Sequence, residues 1–252
     1  LERLDKPVHQ ATLRFHFDPP EDCAEKVLDI LHVSASYGTH DIFKDLTMHI
    51  KKGETVGLIG PNGAGKTTLL KLITGEKQPD SGIVQIGNNV KIGYYSQEQE
   101  MLHPEYQVID EVRNMFNYGE GEARNILGMF LFRGDDVFKQ VGMLSGGEKA
   151  RLSLLCLFLE RPNFLILDEH TAALDPSAAR KVLEQTDYFA KDEKLCTMMI
   201  THNMKAALEH GNRTILMQGG QIKMDIRGRE REEMTVEKLI EKFEIDNDRM
   251  LL

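Results

Sequence analysis

Positive charge runs short against negative in this chain. Its 252 residues hold 31 Lys and Arg against 40 Asp and Glu, a formal net charge of −9. A domain that wraps a polyanion draws its affinity from a surplus of Lys and Arg, so charge points to no nucleic-acid partner, although a local basic face is left open. Cysteine is sparser still, at three residues. Cys23, Cys156 and Cys196 are odd in number, scattered and without C-x-x-C spacing, which argues against a disulfide framework and against a zinc site. Reduced thiols in a cytoplasm are the simplest expectation. Long apolar runs are also missing. The longest, Leu152 to Leu159, is broken by Ser153 and falls far short of the ~20 residues that a spanning helix needs, so no membrane segment is expected, and the N-terminus lacks a signal-peptide pattern. What is present is ordinary: 41% apolar residues in a length that fits one large or two small domains with a packed core.

Along the chain, Leu13, Phe15 and Phe17 alternate like a half-buried strand before Asp18-Pro19-Pro20 stops the pattern, and a new unit is expected to begin near Lys26. Val27 to Val33 and Leu46 to Ile50 predict strands, with Lys52-Gly53 turning into a third, Thr55-Val56-Gly57-Leu58-Ile59. Strands are also predicted at Ile83 to Ile86 and Val90 to Tyr95, and residues 105 to 160 are richer in helix formers. Phe164 to Leu167 and Thr197 to Ile200 have the short, unalternating look of strands covered on both faces. The expected class is α/β, a core sheet with an antiparallel β portion and a helical insertion. From Thr235, a capping residue, Val236, Leu239, Ile240 and Phe243 share one helical face, which most simply covers core.

The chemistry concentrates at Gly60-Pro61-Asn62-Gly63-Ala64-Gly65-Lys66-Thr67, a complete G-x-x-x-x-G-K-[ST] loop between the third strand and a helix opening at Thr68. Such a loop turns its backbone N–H groups toward phosphates, and the helix behind it adds the positive end of its dipole. Lys66 is placed to reach the outer phosphates and Thr67 to ligate Mg²⁺. By accident the four fixed positions would match in about one chain of this length per hundred. Downstream, Phe164-Leu165-Ile166-Leu167 ends in Asp168-Glu169. Asp168 at a strand end can hold Mg²⁺, and Glu169 can polarise a water for attack on the γ-phosphate. Alone, an Asp-Glu pair at a strand end carries little weight.

A second anion-binding device precedes that strand. In Leu144-Ser145-Gly146-Gly147-Glu148, Ser145 and the amides of Gly146 and Gly147 open a helix. This LSGGE resembles the signature of the ATP-binding cassette (ABC) superfamily, and the resemblance covers nearly the whole chain. It implies a P-loop ATPase fold that binds ATP and Mg²⁺ and hydrolyses ATP as a sandwich of two cassettes, the signature of one closing on the γ-phosphate held by the other. A second copy of the chain is therefore the implied partner. On the same resemblance, Tyr37 stacks on adenine, Gln97 senses Mg²⁺ and the attacking water, Asp175 speaks across the dimer, and His202 touches the γ-phosphate. The implied metal set is Thr67, Gln97 and Asp168, and the implied catalytic set is Lys66, Gln97, Glu169 and His202.

Two dialects of the superfamily meet in this chain. Residues 1 to 169 are similar to the second cassette of ABC-F proteins, the paired-cassette class that acts on ribosomes. Leu1 to Pro7 resembles the end of their inter-cassette linker, making 1 to 25 a linker-like segment and 26 to 252 the ATP-binding domain, with its helical part at about 100 to 160. Val90 to Gln99 and Phe130 to Asp136 carry the same wording. From His170-Thr171-Ala172-Ala173-Leu174-Asp175-Pro176 onward, through Ile200 to Met204 and Ala207 to Arg213, the chain is closer to ATPase subunits of bacterial small-solute importers. The implied junction lies near Asp168 to Thr171, as in a recombined or engineered chimera. A membrane permease and the ribosome are thus the alternative partners, and binding with little turnover is the alternative outcome.

Overall fold

A computed structural model of the chain describes residues 22–95, 102–168, 195–201 and 203–241. Its first half builds two antiparallel strands, β1 (Lys26–Tyr37) and β2 (His40–Lys51), then β3 (Thr55–Ile59), α1 (Lys66–Ile73), β4 (Ser81–Ile86) and β5 (Ile92–Tyr95). Helices α2 (Val108–Phe116) and α3 (Glu120–Met129), two 3₁₀ turns and α4 (Gly146–Leu159) follow. The second half returns to strands with β6 (Phe164–Asp168), β7 (Cys196–Ile200), β8 (Arg213–Gln218) and β9 (Gln221–Arg227). Between them lie α5 (Met204–Glu209) and α6 (Gly228–Glu232), and a last helix, α7, covers 236–241.

β1 and β2 are each longer than their apolar alternation predicts. His32 and Asp45 take positive φ, 51° and 64°, and the pairing shifts register around them. Bulges of this kind move the apolar set from one phase to another without ending the strand, so a strict two-residue period sees only part of each. β2, β1 and β4 make a three-stranded antiparallel sheet. The central sheet runs β5-β6-β7-β3-β8-β9, parallel throughout except for β9.

The central sheet is buried on both faces, as the unbroken apolar runs of β3, β6 and β7 predict. Val56, Leu58, Ile166, Met198, Ile215 and Met217 pack with α1 and the three-stranded sheet on one side. Leu165 and Leu167 face α4 and the helical layer on the other. α4 is apolar nearly all round, because it fills the space between that sheet face and α2 and α3. Thr235 caps the last helix, its hydroxyl accepting from the Lys238 amide at 3.3 Å, and Leu239 is fully buried with Ile59, Ala207 and Leu216. The expected apolar face is narrower than its spacing implied. Ile240 is 40% exposed, and Phe243 lies outside the described residues, as do Leu13, Phe15, Phe17 and the segment 1–21.

β8 and β9 stand outside the strands expected above, although Ile215 to Met217 form an apolar run and Ile222, Met224 and Ile226 alternate. β8 opens on Arg213, whose charge is matched only in the folded chain, by Glu54 at 2.9 Å and Asp225 at 2.7 Å. All three cysteines are free. No helix among the described residues is long and apolar enough to cross a membrane.

Candidate functional site

Parallel pairing sets the carboxyl ends of β3, β7 and β6 along one edge. Leu58 pairs with Ile200 and Ile200 with Asp168, so the three stand level, and Asp168 lies two strand spacings, about 10 Å, from Leu58. Two residues beyond Leu58 the loop begins. Thr201, leaving β7, donates its amide to Leu58 O at 3.2 Å. Ligands of open α/β sheets bind at this carboxyl edge.

The loop's shape depends on having no side chain at two of its glycines. A Cβ on Gly60 would stand 2.3 Å from Met217 O of β8. One on Gly65, at φ +101°, would stand 2.5 Å from Cε1 of Phe43. Phe43, a β2 residue in no motif, is the floor on which the loop rests. Because Phe43 pairs with Ala35, the same hairpin brings the end of β1, and hence Tyr37, toward the loop. Tyr37 is 48% exposed, with the Lys77 ammonium 4.7 Å from its ring centroid.

Lys66 folds back across the loop. Its ammonium donates to Gly60 O at 2.7 Å and Pro61 O at 3.0 Å, and the side chain is 9% exposed. Pro61, Asn62, Gly63 and Thr67 remain exposed. Ala64 donates its amide to Pro61 O, closing the turn. α1 begins without a capping side chain, since Gly65 is its N-cap, and without an acidic residue in its first turn. Thr68 is buried, so its backbone amide is what it can offer a ligand. Ammonium, helix N-terminus and a hollow that a Cβ would fill suit a chain of phosphates. The Thr67 hydroxyl and the Asp168 carboxylate suit a hard divalent cation such as Mg²⁺, so the described residues fit both groups.

Leu144 to Glu148 form the start of α4. Ser145 is its N-cap: its hydroxyl accepts from the Glu148 amide at 3.3 Å, while the Glu148 carboxylate accepts from the Ser145 amide and hydroxyl at 2.8 Å each. This is a capping box. Burial pushes the Glu148 carboxyl upward, but the Ser145 donors and the Lys139 ammonium outweigh it and hold it below its ordinary value. Leu144 is buried beneath the box, and Ser145 and Gly146 are exposed. A Cβ on Gly146 would meet nothing within 4 Å. The two helix N-termini are not brought together within one chain, because α1 packs on one face of the central sheet and α4 on the other.

Of the residues expected at the site, Gln97, Glu169, Asp175 and His202, together with the junction at 169–171, lie outside the described residues. Thr201 and Asn203, which flank His202, are described. The Asn203 amide donates to Thr201 Oγ1 at 3.0 Å, and Asn203 Oδ1 accepts from Ala206 as the N-cap of α5. Phe43 and these two flanking residues were not legible as site residues, because their contribution is contact with distant parts of the chain.

Residues 43–172 match the model of the ABC transporter family, a span from within β2 through the loop and the signature to just past the end of β6. The chain is 33% identical over 248 residues to the tyrosine transport ATP-binding protein of Clostridioides difficile (strain R20291), covering 86% of this chain and 99% of that protein. It is 38% identical over 211 residues to the energy-dependent translational throttle protein EttA of Escherichia coli (strain K12), covering 81% of this chain and 37% of EttA. It spans only about a third of the length of several other curated relatives. Among solved structures, the dimeric ATP-binding cassette MJ0796 bound to ADP and Pi superposes with a TM-score of 0.67 at 23% identity, covering 79% of this chain and 98% of that one, a likeness of fold. With the family match over residues 43–172 and 33% identity to a relative covering 86% of the chain, the chain belongs to the ABC transporter family and carries its ATPase domain.

Proposed function

We propose that the chain binds ATP at Gly60 to Thr68 and hydrolyses it in a sandwich of two copies. In this reading Lys66 leaves its carbonyl partners for the outer phosphates, and Tyr37 stacks on the adenine. Glu169 takes a proton from the attacking water while that water's oxygen bonds to the γ-phosphorus. The bond to the bridging oxygen breaks with its electrons going to ADP, and His202 steadies the γ-phosphate. Bound Mg²⁺, held by Thr67, Gln97 and Asp168, would supply charge neutralisation at the phosphates. Ser145, Gly146 and Gly147 complete the site from the second copy, and Asp175 lies in the loop that communicates between copies.

The observation that carries this reading is the separation of the two anion-binding helix ends. α1 and α4 stand on opposite faces of one sheet, and Gly146 faces open space, so a second copy is what can bring a signature to the loop. Glu169→Gln tests it. Nucleotide binding by calorimetry should be retained, phosphate release nearly abolished, and light scattering should show a dimer only with MgATP. Unchanged phosphate release would refute Glu169 as the base, and a monomer in MgATP would refute the sandwich.

For the partner, the near full-length match to a transport ATP-binding protein favours a membrane permease, with the domain on its cytoplasmic side. A ribosome is the second candidate, through the similarity to EttA.

A further inference from the structure

Arg231 belongs to no motif, yet its guanidinium makes four hydrogen bonds to one small region. It donates to Ala207 O at 3.2 Å, Leu208 O at 2.9 Å, His210 O at 2.9 Å and Thr214 Oγ1 at 3.1 Å. Ala207, Leu208 and His210 supply carbonyls at the C-terminal end of α5, which a helix leaves without internal partners and where a cation is favoured by the dipole. Burial pulls the Arg231 guanidinium below its ordinary value, so the four acceptors offset only part of the cost of withdrawing this charge from water.

A helix of six residues is too short to stand on propensity and is held from outside at three places. Arg231 holds its C-terminal end. Asn203 caps its N-terminal end and is tied through Thr201 to Leu58 of β3. Its middle lies against β3, where a Cβ on Gly57 would stand 3.0 Å from Ala207 O. The segment carrying Arg231 is itself fastened, since Leu239 is buried with Ala207 and Ile59. A rigid path therefore runs from the C-terminal segment through α5 to Thr201 and Asn203, the residues on either side of position 202.

We propose that Arg231 is a positioning residue for ATP hydrolysis: by fastening α5 to the C-terminal segment it holds Thr201 and Asn203, the neighbours of His202 in the chain, at the sheet edge where the phosphate loop begins. This rests on the reading of His202 as the side chain that meets the γ-phosphate. Misplacing a reacting group by a fraction of an ångström to one ångström costs roughly ten- to a hundredfold in rate, whereas binding by the loop is untouched.

The test is a double-mutant cycle of Arg231→Ala with His202→Ala, read by phosphate release, with ADP affinity and thermal melting measured alongside. Arg231→Ala should lower kcat at least about tenfold with KM and ADP affinity within about twofold. Arg231→Lys, whose ammonium can still serve helix carbonyls, should recover most of that loss. On the His202→Ala background, Arg231→Ala should add less than about twofold. A folded Arg231→Ala with parental kcat overturns the proposal, and so does an equal further loss on the His202→Ala background, which marks general destabilisation. Parental kcat in His202→Ala refutes the reading of His202 instead. Hydrogen exchange reads the same proposal without turnover: amides of 203–210 should exchange at least about tenfold faster in Arg231→Ala while those of α1 do not change, and equal exchange overturns it. If Arg231→Ala does not fold, Thr214→Val removes one acceptor of the guanidinium together with the hydroxyl's own bond to Ala207 O at 3.2 Å, loosening the same end of α5, and enters the same cycle with the same outcomes.

Discussion

Gly65 and Gly146 are glycines for different reasons. Gly65 has φ +101° and Phe43 beneath it, so Gly65→Ala brings both backbone strain and a clash. Its expected cost is about 1–3 kcal/mol, visible as a lower urea midpoint, together with weakened ATP binding. Gly146 is helical, with open space where a Cβ would go. Gly146→Ala should fold with stability unchanged or raised by up to about 1 kcal/mol and bind ATP as the parent does. Phosphate release should nevertheless fall at least about tenfold, because in the proposed sandwich the added methyl would meet the partner copy's nucleotide. Parental turnover in Gly146→Ala would remove the signature from the reaction. The two motifs mark these positions with the same letter, and only the surroundings separate a glycine the chain's own packing demands from one it does not. Lys66 teaches the same lesson. Its reach toward phosphates is legible in the loop pattern, but its bonds to Gly60 O and Pro61 O exist only in the folded loop.

At the scale of elements, the start of α4 was legible to the residue. Ser145 and Glu148 stand at the two ends of a capping box, and their bonds link positions three apart, so no distant segment is needed. The Glu148 carboxyl sits below its ordinary value of 4.5, so its charged form is the one that favours the folded state. That contribution is complete above 4.5 and is lost as pH falls through the lowered value. Thermal melts of the parent and Glu148→Gln should therefore differ at pH 7, with the parent higher, and should converge in acid below 4.5. A difference that persists unchanged in acid would show that the charge plays no part. The β1–β2 pair was legible only in part. Its positive-φ bulges at His32 and Asp45 reset an alternation that a reader of sequence takes to have ended.

For the whole molecule, one buried cation joins the two sheets. Arg213 of β8 is 2% exposed. It pairs with Glu54, just before β3, and with Asp225 of β9, and donates to His49 O of β2. Burial works to raise the Asp225 carboxyl, yet Arg213 outweighs it and holds the carboxyl below its ordinary value. Removing the guanidinium takes the buried partner from Glu54 and Asp225, although Arg227 still reaches Glu54 at 2.8 Å, so Arg213→Ala should lower unfolding free energy by about 1–3 kcal/mol, measured by urea denaturation. An unchanged midpoint would show that the sheets are held by apolar packing alone.

The sequence by itself determined the phosphate loop, the signature box, the buried strands β3, β6 and β7, and the class of the fold. Each of these is written in residues a few positions apart, where backbone conformation, capping and periodicity act. Tertiary structure alone decided that Leu58, Ile200 and Asp168 stand in one row, that Phe43 floors the loop, that α1 and α4 lie on opposite faces of the sheet, and that Arg231 grips α5. These depend on strand order, register and the burial of charge among segments far apart in the chain, which no local pattern encodes.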